Sequence, residues 1–64
     1  MDRSGAHILV MQVKVNKKFY QVYWNGSRIV PFEDQAKIYS RPEALRVSAQ
    51  LVNKGKLFYA KELS

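Results

Sequence analysis

The chain has 64 residues, of which 47% are hydrophobic, which predicts one small folded domain and argues against disorder. It contains no cysteine, which excludes disulfides, thiolate nucleophiles and cysteine-type zinc sites and fits a cytoplasmic location. Eleven Lys and Arg against five Asp and Glu give a net charge of +6, which favours an anionic partner. No apolar run approaches the roughly 20 residues that span a bilayer, so no membrane partner is expected.

Two strands joined by a tight turn open the predicted domain. Residues 1–6 are small and polar and predict a flexible N-terminal lead before a single domain over residues 7–64. From His7 to Val15 the chain is rich in Ile, Val and Leu, which predicts a strand. From Phe19 to Trp24 nearly every residue is aromatic or β-branched, which predicts a second strand.

The dipeptide Asn25-Gly26 predicts a two-residue hairpin turn, because both positions of such a turn need a positive φ. Ser27 to Phe32 then predicts a third strand, which ends or lies at a sheet edge because Pro31 donates no hydrogen bond. This turn sets Trp24 opposite Ser27.

Side-chain parity predicts which residues share a sheet face. A tight turn at Asn16-Lys17 sets Met11 opposite Val22 and makes one face almost wholly apolar. A slip of one residue would mix polar and apolar side chains on both faces, so we favour the first register. The predicted apolar face carries Leu9, Met11, Val13, Tyr20, Val22, Trp24 and Ile29.

The helix has the clearest signals in the sequence. Ser40-Arg41-Pro42-Glu43 is a capping box, with Ser40 as N-cap and Glu43 at N3, and Gly55 is placed to end the helix in a left-handed cap. The helix face that should meet the sheet comprises Ala44, Leu45, Ser48, Leu51 and Val52.

The remaining segments complete an α+β fold. Residues 33–39 predict a loop with a short strand or a single turn. Residues 57–63 predict a last strand, which we place beside the first. The predicted order is β-β-β-α-β, with a small antiparallel or mixed sheet and one helix packed on the face that holds Trp24.

Nothing in the sequence has the pattern of a catalytic motif, whether Walker loop, G-x-S-x-G, G-x-G-x-x-G or H-E-x-x-H. His7 is the one histidine and is expected at the surface, and a metal needs several ligands. Glu33-Asp34 is the one adjacent pair of carboxylates and is expected to be solvated. We therefore expect a non-enzymatic binding protein with no catalytic residue, no metal and no cofactor.

The second sheet face mixes cations, amides and aromatic rings, and it is the candidate binding surface. A covered face would not hold Lys14 and Arg28, and a merely solvated face would not hold Phe19 and Tyr23. Charges that meet phosphates and rings that stack on bases suit nucleic acid, as do Arg and Gln laid against base edges. The candidate nucleic-acid or partner-binding residues are Lys14, Lys17, Lys18, Phe19, Gln21, Tyr23, Arg28 and Phe32.

Other interpretations of this face stay open. Cross-strand aromatic pairs also stabilise thin sheets, and lysine stems also cover apolar rings. Exposed aromatic and arginine side chains also mark protein interfaces. The partner is therefore nucleic acid or a host protein, and an unpaired edge strand could pair with a second copy in a homodimer.

Two resemblances follow from particular stretches of sequence. The run KFYQVYWNGSRIV followed by RPEALRVSAQLV resembles the three-stranded sheet and helix of integrase arm-type and AP2-like DNA-binding domains. This resemblance implies DNA contacts by Lys14, Gln21, Tyr23 and Arg28. The phrase AKIYSRPEAL with a helix and a short closing strand resembles small phage or prophage accessory proteins. That second resemblance implies binding and modulation of a host enzyme, such as a polymerase or a defence nuclease.

Overall fold

The computed structural model describes residues 5–63, which form a four-stranded antiparallel sheet with one α-helix. This confirms the predicted α+β fold, and the last strand lies beside the first as predicted. The sheet order is β3-β2-β1-β4. In chain order the elements are β1 His7–Val15, β2 Lys18–Trp24, β3 Ile29–Val30, a 3-10 helix Glu33–Gln35, α1 Arg41–Asn53 and β4 Tyr59–Glu62.

The predicted N-terminal lead lies mostly outside the described residues, which begin at Gly5. Ala6 already contacts the domain, since its carbonyl accepts a hydrogen bond from the Leu63 N–H at 2.9 Å. Strand β1 begins at the next residue and runs through the centre of the sheet.

The turn between β1 and β2 is the predicted one. Asn16 and Lys17 both have positive φ, at 51° and 70°, as a two-residue turn between twisted strands requires. The register follows from it, with Met11 opposite Val22 and Val13 opposite Tyr20. Asn tolerates the left-handed region because its side chain is short and polar, whereas Lys17 has no such compensation.

Lys17→Gly is expected to stabilise the fold by roughly 1 kcal/mol, because glycine adopts a φ of 70° without a Cβ penalty. For a domain of this size that corresponds to a rise of about 4–8 °C in Tm, measurable by circular dichroism. Lys18→Gly is the control, since Lys18 lies within β2 and its replacement should lower Tm. A Tm for Lys17→Gly at or below that of the wild type would contradict this account of the turn.

The second hairpin corrects the sequence prediction. Trp24 lies opposite Ile29, not Ser27, so the loop holds four residues and only Gly26 has positive φ, at 103°. The Asn25 side chain accepts hydrogen bonds from the N–H groups of Ser27 and Arg28, both at 2.8 Å, and so closes the wider loop. The register moved by two residues, which leaves Ile29 and Val30 on their predicted faces. Strand β3 is also shorter than predicted, with only two paired residues.

Both ends of α1 are capped as predicted. The Ser40 hydroxyl accepts a hydrogen bond from the Glu43 N–H at 3.4 Å. At the other end Gly55 has a φ of 85°, and its N–H donates to the Val52 carbonyl while the Lys56 N–H donates to the Leu51 carbonyl. These two bonds form a Schellman cap.

The buried helix face is rotated from the predicted one. Ala44 and Leu51 are buried and Val47 packs beside them, but Leu45 and Val52 are exposed, contrary to the sequence prediction. The Ser48 hydroxyl donates to the Phe58 carbonyl at 2.7 Å, which ties this orientation of the helix to the segment before β4. Leu45 and Val52 each follow a buried residue by one position, which is a rotation of about 100° around the helix axis. Their side chains therefore point to the side of the helix and not toward the sheet.

The core has a layer on each side of the sheet. On the helix side, Leu9, Tyr39, Ala44, Leu51 and Phe58 are buried, with Trp24 packed edge-on against Phe58 at 5.8 Å between ring centroids. On the other side, Ile8, Val10, Tyr23 and Val30 are buried, and the partly buried Ala36 packs against them. The chain that leaves β3 therefore passes over this second face. The pKa of the Tyr39 hydroxyl is raised above its ordinary value, mainly because the side chain is buried. A side-chain hydrogen bond with Trp24 partly offsets this rise, and the nearby Glu43 adds to it.

His7 is buried, with 8% of its surface exposed, and the prediction of a surface histidine is wrong. It lies between Glu62 of β4 on one side and Tyr39 on the other, and its backbone exchanges two hydrogen bonds with Tyr39. A residue paired on both sides is covered by its neighbours even at the start of a strand. The His7 Nδ1 has no hydrogen-bond partner among the described residues.

Candidate nucleic-acid interface

The distal part of the β1–β2 hairpin, residues 11–22, is a two-stranded ribbon beside which residues 5–63 place no further strand. Strand β4 pairs with β1 only as far as Val10, and β3 pairs with β2 only from Tyr23 onward. The overall shape is elongated, with extents of 43 × 24 × 17 Å. We call residues 11–22 the ribbon.

The polar face of the ribbon is formed by Gln12, Lys14, Phe19 and Gln21, all of them exposed. Lys14 lies directly opposite Phe19, and Gln12 lies directly opposite Gln21. The Lys14 ammonium lies 5.7 Å from the centroid of the Phe19 ring, within cation–π range. Lys14, Phe19 and Gln21, three of the predicted site residues, therefore share one surface, as predicted from side-chain parity.

The tip of the ribbon is strongly positive. Lys17 lies in the turn, Lys18 is the first residue of β2, and Lys14 lies two residues before the turn. All three lysines are exposed. Residues 7–24 contain no Asp or Glu, so no carboxylate of the hairpin offsets these three charges. A cluster of uncompensated cations on a projecting element attracts polyanions over a distance set by salt screening.

The sequence predicted that Tyr23 is exposed on the binding surface, and this prediction is wrong. Only 7% of its surface is exposed, because it packs with Val10, Val30 and Ala36 where the chain after β3 crosses the sheet. Its hydroxyl reaches outward and donates to the Gln21 Oε1 at 3.3 Å. Replacement of Tyr23 by a small side chain would therefore damage the core as well as the surface.

Two further predicted site residues lie apart from the ribbon tip. Arg28 is in the loop at the far end of β2, about 20 Å from Lys18 by the length of a seven-residue strand. Phe32 is exposed but follows the end of β3 and precedes the 3-10 helix. The structure thus groups Lys14, Phe19 and Gln21 on one face, with Lys17 in the adjoining turn. Lys18 is at the same tip but lies opposite Val15, on the other face of the ribbon, and Arg28 and Phe32 are not grouped with any of them.

The opposite face of the ribbon is apolar and uncovered, which the sequence analysis missed. Val15 and Tyr20 are about half exposed, and Val13 and Val22 are partly buried. The predicted lengths of the strand and the helix could have revealed this uncovered face. A nine-residue strand extends about 30 Å, whereas a 13-residue helix extends about 20 Å and cannot cover the whole hairpin.

Other kinds of site find no support in residues 5–63. No group of three or more His, Asp or Glu side chains in this range is placed to hold a metal ion, and no pocket is found there. No helix in the same range is both long and apolar enough to cross a bilayer.

Comparison with protein-family models, with curated proteins and with solved structures gave no significant match. The site is therefore defined by its own geometry: a basic ribbon with one polar face and one apolar face.

Proposed function

We propose that this protein is a non-enzymatic binding protein that contacts nucleic acid through the polar face and tip of the ribbon. The observation that supports this most directly is the position of Lys14, Lys17 and Lys18 on a projecting hairpin that contains no carboxylate. Phosphate contacts by Lys supply most of the affinity of non-specific nucleic-acid binding. A cytoplasmic location and a phage-type origin of the protein belong to the same proposal.

Double-stranded DNA is the form of nucleic acid that this geometry favours. Proteins that bind single strands stack successive bases on several aromatic rings, and the polar face of the ribbon offers one ring, Phe19, because Tyr23 is buried. A two-stranded ribbon fits the major groove of B-form DNA, which is about 12 Å wide. The major groove of duplex RNA is too deep and narrow for such contacts.

The experiment measures fluorescence anisotropy of three end-labelled probes: a DNA duplex, one of its strands alone, and an RNA duplex of the same sequence. We expect the wild-type protein to bind the DNA duplex most tightly. We also expect binding to weaken steeply between about 50 and 200 mM salt, because phosphate contacts release counterions. Absence of binding to every probe at the lower salt concentration would overturn the proposal.

A protein partner is the second candidate, and the apolar face of the ribbon favours it. Tyr20 keeps 51% of its surface exposed beside Val13 and Val22, and exposed tyrosines commonly anchor protein interfaces. A pull-down from native extract with and without nuclease separates the two proposals. Capture that survives nuclease and is lost in Tyr20→Ser supports a protein partner, whereas capture lost on nuclease treatment supports nucleic acid.

A further inference from the structure

One hydrogen bond links the core of the protein to the end of the ribbon's polar face that lies nearest the core. The Tyr23 ring is buried against Val10, Val30 and Ala36, and its hydroxyl donates to the Gln21 Oε1 at 3.3 Å. The Gln21 side chain itself is on the exposed surface. A buried tyrosine therefore contacts the amide of an exposed side chain.

This bond leaves Gln21 with the hydrogen-bonding capacity that base recognition requires. Both donors on Nε2 are free of the Tyr23 contact, and the Oε1 oxygen keeps a second lone pair. An amide with one donor and one acceptor available matches the major-groove edge of adenine, where N7 accepts and N6 donates. Guanine presents two acceptors at that edge and does not match.

We propose that Gln21 reads adenine in the major groove and that Tyr23 is a positioning residue that holds the Gln21 amide for this contact. The inference rests on the proposed function, since it concerns how the ribbon would discriminate between duplexes that the lysines bind equally. Lysine contacts with phosphate carry no sequence information, so discrimination has to come from groups such as Gln21 that reach base edges.

The test compares two end-labelled duplexes of alternating adenine and thymine, one natural and one with 7-deazaadenine, which replaces N7 by C–H and leaves base pairing and the minor groove unchanged. We expect the wild type to bind the natural duplex on the order of tenfold more tightly. In Gln21→Ala this ratio should fall to about one. In Tyr23→Phe it should fall by at least threefold while the salt dependence stays that of the wild type.

Tyr20→Phe is the matched control, because it removes a tyrosine hydroxyl from the opposite face of the same strand and should leave the ratio unchanged. In the double variant of Gln21→Ala and Tyr23→Phe, we expect no further loss beyond Gln21→Ala, because Tyr23 acts through Gln21. A full ratio in Tyr23→Phe, or a wild-type ratio of one, would overturn this inference and leave the ribbon as a phosphate-binding element. Lack of any duplex binding would instead overturn the proposed function itself.

Discussion

Phe58→Ala is expected to unfold the domain at ambient temperature. Phe58 is 2% exposed and lies between α1 and the sheet, where it contacts the edge of Trp24 and belongs to the same cluster as Leu9 and Leu51. Removing a fully buried phenylalanine side chain costs about 3–5 kcal/mol. A single core in a chain this short rarely supplies more than about 3–5 kcal/mol in total, so the loss is of the same size as the whole stability.

Urea titration followed by circular dichroism measures this effect. The control is Phe32→Ala, which deletes the same atoms from a ring that is 63% exposed and should change stability by less than about 0.5 kcal/mol. Equal unfolding midpoints for the two variants would show that the cluster around Phe58 does not hold the helix on the sheet.

Replacing Lys14, Lys17 and Lys18 together by Gln is expected to remove most of the affinity for DNA. If each lysine neutralises one phosphate, the slope of log K against log salt should become shallower by about 2.7, which is 0.9 for each of three contacts. The loss of affinity at low salt should be on the order of tenfold or more. Stability should change little, because all three side chains are exposed.

A matched variant distinguishes the ribbon from overall charge. Arg41→Gln, Arg46→Gln and Lys54→Gln together remove the same three charges from α1 and its C-cap, where all three residues are exposed. Arg46 contacts Glu43 at 3.7 Å, but a surface pair of this kind contributes little to stability. We expect the slope to change much less in this variant than in the ribbon variant. Equal changes would assign binding to the net charge of +6 and not to the ribbon.

Local signals in the sequence were sufficient for the elements and most of their pairing. Strand β1, the turn at Asn16-Lys17, the N-cap at Ser40 and the left-handed cap at Gly55 all lie where the sequence places them. Each depends on a few adjacent residues, through φ preference, side-chain capping or alternation of apolar residues. Parity also placed Lys14, Phe19 and Gln21 on one face correctly, because a strand of period two leaves no other choice.

Two features of the fold were not decided by the signals in the sequence. The Asn25 side chain selected a four-residue loop over a two-residue turn, and Ser48 selected the rotation of α1 that exposes Leu45. Asn followed by Gly is compatible with both kinds of loop, and the Ser48 bond depends on the position of Phe58, ten residues further along the chain.

The sequence by itself determined the fold class, the basic charge of the hairpin and the identity of its polar face, because these follow from composition and from strand periodicity. Only the tertiary structure decided which side chains on that face meet water. The chain after β3 crosses one end of the sheet and buries Tyr23, and α1 is too short to cover the ribbon beyond its near end at Met11. Burial depends on where segments distant in sequence pack, and the residues adjacent in sequence do not specify this.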